Sequence, residues 1–442
     1  MARMTIDDAP LNGFHLRVTA YTTGGEFCDG YILGVVGIAL TQITPQMHLD
    51  AFANGLIGAS ALIGIFVGSI VFGPITDRIG RQTMYTADLL AFVVGSVLQF
   101  FVQDPWQLFA LRLLMGVAVG ADYAIGAALL SEVVPRRHRG PLLACLNAVW
   151  TVGYVVASLV GYAMLGLGPD AWRWLLASSA VPAAIVVLAR LGTPESPRWL
   201  ISKGRRDEAA AIVRRYIHPD CGIDDLHPDG ERYGYRVLFS PRYLRRTVFA
   251  CVFWFCQVLP FFAISTFVPE IFKALHFSNA FTSSLVYNVF QLAGAVLGVL
   301  VMNLFPRRRF VIWSFAVIAA ALLFLGAWPS APIVAITIAF AIFAFVVSGA
   351  GNLETVYPSE LFPTEIRASG CGLAAAFSRI GAAGGTFLLP IVLASWGVGP
   401  ALLGGAAVGI IGLAVSIAWA PETRGQTLLA ASTDAVPSTS PS

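Results

Sequence analysis

Twelve stretches of this chain are apolar over about 20 residues each, near residues 19–40, 53–76, 84–102, 105–133, 141–166, 171–191, 246–268, 280–305, 310–327, 332–357, 368–394 and 399–420. A helix of that length reaches across the hydrocarbon core of a bilayer. Inside that core each backbone amide must find its partner within its own segment, so helices are the form such stretches take. The composition agrees. Of the residues, 57% are hydrophobic and 12% charged, with a mean hydropathy of +0.74, whereas soluble domains carry roughly 45–50% apolar and about 25% charged residues. The expected fold class is an all-α membrane protein with twelve transmembrane helices.

The stretches divide six and six around one long polar segment. Residues 1–191 and 246–425 are read as two pseudo-symmetric six-helix bundles, residues 192–245 as their cytoplasmic linker, and residues 426–442 as a disordered tail rich in Ser, Thr, Ala and Pro. In the linker, Ser202 to Ile217 sets Ile212, Val213, Tyr216 and Ile217 among Arg205, Arg206, Asp207, Glu208, Arg214 and Arg215, the pattern of an amphipathic helix. The basic residues Arg78, Arg81, Arg136, Arg137, Arg139, Arg307, Arg308, Arg309, Arg367 and Arg424 fall on one side of the membrane; the other side holds only Arg173 and Lys273. That asymmetry places both termini in the cytoplasm of a multi-pass inner-membrane protein. The first 18 residues lack the apolar core of a cleavable signal, so helix 1 is expected to remain in the mature chain.

A net charge of +3 spread over two compartments does not point to nucleic acid. The expected partners are the lipid bilayer and a small-molecule substrate, with the chain acting as a monomer. Cys28, Cys145, Cys251, Cys256 and Cys371 fall in apolar stretches and read as buried thiols, and His218, Cys221 and His227 are poorly spaced for a metal. Without a nucleophile triad, a metal set or a phosphate loop, neither an enzyme nor a cofactor is expected, apart from a proton as coupling ion.

Charges inside apolar stretches are the candidate functional residues. A carboxylate part way through a span costs about 2.5–3.5 kcal/mol on insertion scales and normally has a partner and a task. Helix 1 carries Asp29, with Glu26 one turn closer to the cytoplasm as a lesser candidate. Arg112 on helix 4 lies at a compatible depth and is the expected partner of Asp29, either as a proton switch or as a static ion pair. Asp122, about 15 Å deeper on helix 4, is a second proton relay, a substrate contact or a packing contact to Tyr31 or Asn147. Arg379 lies about 20 Å into helix 11, beyond easy snorkelling. Its planar fork suits a substrate anion, or a structural carboxylate from Asp29, Asp122 or Glu354. Glu354 itself, close to the inner end of helix 10, reads as a solvated carboxylate. Gln257, Asn288, Gln291, Asn352, Trp150, Tyr154 and Tyr287 complete the cavity candidates.

The loops carry motifs. Gly73-Pro74-Ile75-Thr76-Asp77-Arg78-Ile79-Gly80-Arg81, between helices 2 and 3, resembles the signature of the major facilitator superfamily. Arg112-x3-Gly116-x3-Gly120, continuing to Glu132 and Arg139, resembles helix 4 of its sugar porter group. Pro194-Glu195-Ser196-Pro197-Arg198-Trp199, Glu360-x2-Pro363-Thr364-x2-Arg367 and Pro421-Glu422-Thr423-Arg424-Gly425 are similar to that group's later motifs. The resemblance spans nearly the whole chain. It implies a carrier working by alternating access, with the helix-1 aspartate and helix-4 arginine as its proton switch. Glu132, Glu195, Glu360 and Glu422 are expected to pair with Arg78, Arg139, Arg198 and Arg367 in a cytoplasmic latch with Gly73, Asp77, Gly80 and Arg81.

The resemblance thins where a sugar would bind. Helix 7 keeps one glutamine of the sugar porter pair, Gln257, and helix 10 reads Gly349-Ala350-Gly351-Asn352-Leu353-Glu354 in place of a Pro-Trp pair. Fewer amides in a dry pocket suit a less hydroxylated substrate. Asp29-Gly30-Tyr31-x2-Gly34 and Gly120-Ala121-Asp122-Tyr123 look like bacterial metabolite:proton symporters. The expected function is therefore proton-coupled symport of a small organic solute, an organic acid first. A sugar, polyol or phosphate symporter, a proton-driven drug or cation exporter, and a non-transporting nutrient receptor are the alternatives.

Overall fold

The computed structural model describes residues 4–6, 8–223, 235–277, 279–301, 304–362 and 364–423; the expected disordered tail and His227 lie outside them. Among the described residues twelve long helices follow one another: α1 Gly13–Gln46, α2 Ala51–Ile79, α3 Arg81–Gln99, α4 Pro105–Val133, α5 Arg136–Met164, α6 Ala171–Arg190, α7 Leu244–Thr266, α8 Ala280–Val301, α9 Arg307–Ala327, α10 Ile333–Leu361, α11 Thr364–Trp396 and α12 Val398–Trp419. Ten of them are long and apolar enough, by length and composition alone, to cross a membrane. Helix α6 is interrupted at Ser179 and α10 at Asn352.

Local chemistry sets the helix starts. Asn12 caps α1, its side chain accepting from the amides of Phe14 and His15 while His15 Nδ1 accepts from the Asn12 amide. Asp50 and Asp104 cap α2 and α4 through the amides of Ala53 and Trp106, each 2.7 Å away. Between α2 and α3 the chain turns on a single residue, Gly80, whose φ of 117° is open to glycine at little cost.

The chain divides into two compact units. The first comprises Met1–Gly230, Ile264–Asn288 and Thr386–Ala394; the second comprises Glu231–Ala263, Val289–Gly385 and Ser395–Ser442. The first unit thus takes in the C-terminal end of α7, the N-terminal part of α8 and a stretch near the end of α11.

Small residues bring helices together within each unit, as expected where lipid removes the hydrophobic drive for association. In the first, α2 and α4 interlock: a side chain at Gly64 or Gly68 would strike the carbonyls of Leu113 or Val117, and one at Gly116 or Gly120 those of Ala61 or Ile65. The second repeats the device where α8 meets α10, with Gly294 against Phe345 and Gly298 against Gly349.

The linker begins with two short pieces, Pro197–Ser202 and Arg206–Ile212, and a terminal turn over Val213–Ile217. Ala209, Val213 and Ile217 form one buried face and pack with Leu200, Ile201, Ile6 and Ala9. Asn12 ties the N-terminus to this turn, its amide nitrogen donating to the carbonyls of Tyr216 at 2.9 Å and Ile217 at 2.8 Å. Cys145, expected to be buried, is exposed on α5.

Candidate functional site

In the first unit α1 is apolar almost all round, the pattern of a helix enclosed by others. Gly30 and Gly34 make that enclosure close: a side chain at either would strike the backbone of Trp150 or Tyr154 on α5. Asp29 is therefore fully buried, and Glu26 is 8% exposed. Asp122 of α4 is buried beside them, with Glu26, Arg190, Tyr85 and Asp29 as its polar neighbours. Gly25 leaves the necessary space, since a side chain there would meet the Tyr85 hydroxyl and Asp122 Oδ2.

Two charged residues of this group were not among the sequence candidates. Asp88 of α3 is 4% exposed and faces Asp122 and Arg190. Arg190, at the end of α6, is 2% exposed. Its guanidinium lies 3.4 Å from the Tyr85 ring centroid and 4.7 Å from that of Tyr21, and donates to Gln82 Oε1 at 2.5 Å. The Tyr85 hydroxyl lies 3.3 Å from the carbonyl of Thr22. Glu26, Asp29 and Asp88 thus gather about Asp122, and the Arg190 guanidinium faces Asp88 and Asp122. A low-dielectric interior does not sustain that excess of negative charge, and protons are the means of neutralising it. A signal for Asp88 was present in the sequence, an acid inside the third apolar stretch. Arg190 lies at the edge of the sixth apolar stretch, 171–191, where a charge is cheap.

The structure differs from the expected Asp29–Arg112 pair. Arg112 is 1% exposed, and its Nη2 donates to the backbone carbonyl of Ile32 at 3.1 Å. Ile32 lies three residues along α1 from Asp29, a rise of about 4.5 Å. Arg112 therefore holds the α1 backbone, while the Asp29 carboxyl meets that of Asp122. Depth along two helices brought the right pair of helices together but did not resolve one helical turn.

In the second unit Arg379 is 9% exposed and sits 6.0 Å from the Phe262 ring centroid. Glu354 faces it and accepts the Trp254 indole N–H at 2.7 Å. The expected solvated role for Glu354 is corrected by those two neighbours, because the break at Asn352 carries the segment after it back to α7 and α11. Gln257 donates to the carbonyl of Val347 at 2.7 Å and Asn352 to that of Ala295 at 3.0 Å, so part of each amide serves helix contact. Gln257 Oε1 and both amide atoms of Gln291 are buried and have no hydrogen-bonding partner among the described residues.

The aromatic candidates belong to the first unit. Trp150 and Tyr154 stack on α5 with centroids 5.7 Å apart, and Tyr287 shares a 2.9 Å hydrogen bond with Ser265. Nearby, Ser158, Tyr162, Ser265, Thr266 and Asn288 line a small, partly open pocket.

The cytoplasmic motifs act partly through backbone. Glu195 accepts from the amides of Arg81 and Gln82 at 3.2 and 3.1 Å, capping α3, whose own N-cap Gly80 has no side chain. Glu422 does the same for α9, accepting from Arg307 at 2.9 Å and Arg308 at 3.2 Å. Glu360 meets Arg307 at 3.5 Å and the Thr423 hydroxyl at 2.6 Å, and Arg367 Nε donates to the carbonyl of Phe362. These contacts correct the expected arginine partners of Glu195 and Glu360: Glu195, directly after Pro194, meets the start of α3, where free amides converge, and Glu360 pairs with Arg307 in place of Arg78, Arg139, Arg198 or Arg367. Arg78 and Arg198 are exposed. The side chains of Gly73, Asp77, Glu132 and Arg139 lie outside those described, as does Pro363.

The profile of the family described as "Sugar (and other) transporter" matches residues 18–435. The Inner membrane metabolite transport protein YgcS of Escherichia coli strain K12 is 46% identical over 426 residues, 96% of this chain and 96% of its own length. The Glucose transporter GlcP of Staphylococcus epidermidis is 27% identical over 420 residues, 91% of this chain and 93% of its own. Among solved structures, a partially occluded inward open conformation of the Escherichia coli xylose transporter XylE superposes with a TM-score of 0.81 at 20% identity, over 94% of this chain and 100% of that one, a likeness of fold. With one family profile over nearly the whole chain and a 46% identical full-length relative, the chain belongs to the sugar (and other) transporter family and is a membrane carrier with the major facilitator fold.

Proposed function

We propose that this carrier moves a small organic acid together with protons by alternating access. The observation that carries the coupling is the gathering of Glu26, Asp29 and Asp88 about Asp122, with Arg190 facing Asp88 and Asp122, in one unit. Asp29 and Asp122 exchange the transported proton, because two facing carboxyls share one proton more readily than they bear two charges. Arg112 has the positioning role of fixing α1 at Ile32 while that proton comes and goes.

Arg379 supplies the acid's counter-charge, and Glu354 occupies the guanidinium when the substrate is absent. Gln257 and Gln291 offer the remaining amide atoms, with Asn352 as a further contact in the same unit. Glu195, Glu360 and Glu422, with Asp77, Arg78, Glu132, Arg139, Arg198 and Arg367, form the cytoplasmic control of opening, and both termini face the cytoplasm. A second reading, a sugar or polyol, is favoured by the hydroxyl-lined cavity at Ser158, Tyr162, Ser265 and Thr266 and by the glucose named for GlcP.

The test places purified protein in vesicles under an inward proton gradient and offers radiolabelled carboxylates, sugars and phosphate in parallel. Gradient-dependent accumulation of a carboxylate, lost in Arg379→Gln, is the expected result. Accumulation of a sugar in preference to every acid would overturn the substrate class and leave the coupling standing.

A further inference from the structure

After α7 the chain breaks at Phe267 and continues as a short helix, Val268–Ala274, that packs within the first unit. By the charge asymmetry of the loops this segment lies on the non-cytoplasmic side, beyond the last membrane-spanning residue of α7, Thr266. Three of its faces are accounted for. Val268, Pro269, Ile271 and Phe272 are buried, Val268 and Pro269 line the hydroxyl cavity, and Lys273 is exposed. The backbone beneath is tight as well, since a side chain at Gly37 of α1 would strike the carbonyl of Thr266.

Glu270 is the exception. Its Oε2 is sealed from solvent and accepts no hydrogen bond among the described residues. The titratable and charged groups that face it are Lys273, one turn along the same segment, and Tyr162 of α5, whose hydroxyl is engaged with Ser284 of α8. From α1, the residues beside the same cavity are Gly34, Gly37 and Ile38, and from α7 they are Ser265 and Thr266; none of them bears a charge. Closing this segment therefore sets a half-buried carboxyl, one oxygen of it sealed, against hydroxyls and apolar surface, with one solvated lysine as the only cation facing it among the described residues. An ionised carboxylate is costly in such a place and a protonated one is not.

We propose that Glu270 is a proton-uptake site on the outer face, at which closure of Val268–Ala274 over α1 and α5 takes up one proton from the external solution and opening returns it. Burial pushes the carboxyl of Glu270 up to about 8 from an ordinary value of 4.5, with Lys273 opposing the shift in part. The sign follows from those two values. Below about 4.5 the carboxyl is protonated whether the segment is open or closed, and above about 8 it is ionised in both, so pH has no leverage at either extreme. Between them the closed form binds one proton more than the open form. Closure weakens as pH rises across that window, by up to about tenfold in the closed-to-open ratio per pH unit. The site goes beyond the coupling read for Asp29 and Asp122, and it depends on the carrier reading only for the side of the membrane that it faces.

The test needs neither substrate nor gradient, so its failure is separable from that of the coupling. Spin labels are placed at Gln103 and Asn279, both exposed in the first unit, in full-length protein with Cys145→Ser, reconstituted in lipid nanodiscs. Distance distributions are recorded from pH 5 to pH 8.5. The expected result is a longer-distance population that grows with pH in the wild type and is independent of pH in Glu270→Gln. Lys273→Gln is expected to keep the response and move its midpoint to higher pH, and this exposed position keeps the proposal testable if the Glu270 variant does not fold. A wild type whose distances ignore pH, a response surviving in Glu270→Gln, or an unmoved midpoint in Lys273→Gln would overturn the assignment.

Discussion

The two units bury polar residues of different kinds. In the first, Glu26, Asp29 and Asp88 crowd about Asp122, with Arg190 facing two of the four carboxyls; in the second, the amides of Gln257, Gln291 and Asn352 accompany one arginine and one glutamate, Arg379 and Glu354. Both rest on the same glycine-lined helix contacts and on the same carboxylate cap, Glu195 at α3 and Glu422 at α9. Scaffold and chemistry are therefore separable. Each unit sets its polar groups on a glycine-lined frame, the first gathering four carboxyls and the second combining amides with one arginine and one glutamate. In the proposed cycle the first unit supplies the energy and the second chooses the cargo.

That division is open to attack at several points. Arg190→Ala carries the largest expected effect, because it leaves buried carboxylates without their cation at a cost of about 3–5 kcal/mol. Thermal unfolding in detergent should fall accordingly, and adding Asp88→Asn should recover part of the loss. Full recovery is not expected, since the stacking on Tyr85 and Tyr21 is lost as well. In the second unit Arg379→Gln should weaken binding of an organic acid by about 1.5–3 kcal/mol, read by calorimetry, and Glu354→Gln should strengthen it by removing the competing carboxylate. Arg379→Gln with unchanged acid affinity would move substrate choice out of this unit.

Smaller effects test the shared frame. Glu195→Ala and Glu422→Ala should each cost about 0.5–2 kcal/mol, visible as faster hydrogen exchange at the first turns of α3 and α9 respectively. Exchange confined to the turn mutated would support equivalent caps; a response in only one variant would show that the two units use the motif differently. Least of all should come from Glu208→Gln. Arg205 holds the Glu208 carboxyl below its ordinary range, but both side chains are open to solvent. Melting at pH 5 and pH 7 is expected to be the same as for the wild type.

Much of this arrangement was legible beforehand, for identifiable reasons. Apolar stretches of membrane length and the linker between two sets of six follow from the demand that lipid-exposed backbone bond within itself. Asp29, Arg112, Asp122 and Arg379 drew notice because charge inside a span is costly. What escaped was azimuth and fine depth. Arg112 reaches α1 at Ile32, and rise along a helix fixes neither the direction of a side chain nor a single turn. Asp88 left a signal as an acid inside the third apolar stretch, whereas Arg190 lies at the edge of the sixth, where a charge is cheap. Glu195 and Glu422 were assigned to arginine side chains, but their structural donors include backbone amides, which leave no mark in a sequence.

The claim that protons are held by the carboxyls of the first unit is tested most directly by separating gradient-driven uptake from exchange. Once the screen has identified a substrate, Asp122→Asn protein in vesicles is assayed for accumulation under an inward proton gradient and for counterflow with no gradient. The account predicts that accumulation falls by about 100-fold or more, the scale of losing a positioned proton-transfer group, while counterflow persists. Accumulation at the wild-type level in Asp122→Asn, and equally in Asp29→Asn, would contradict it.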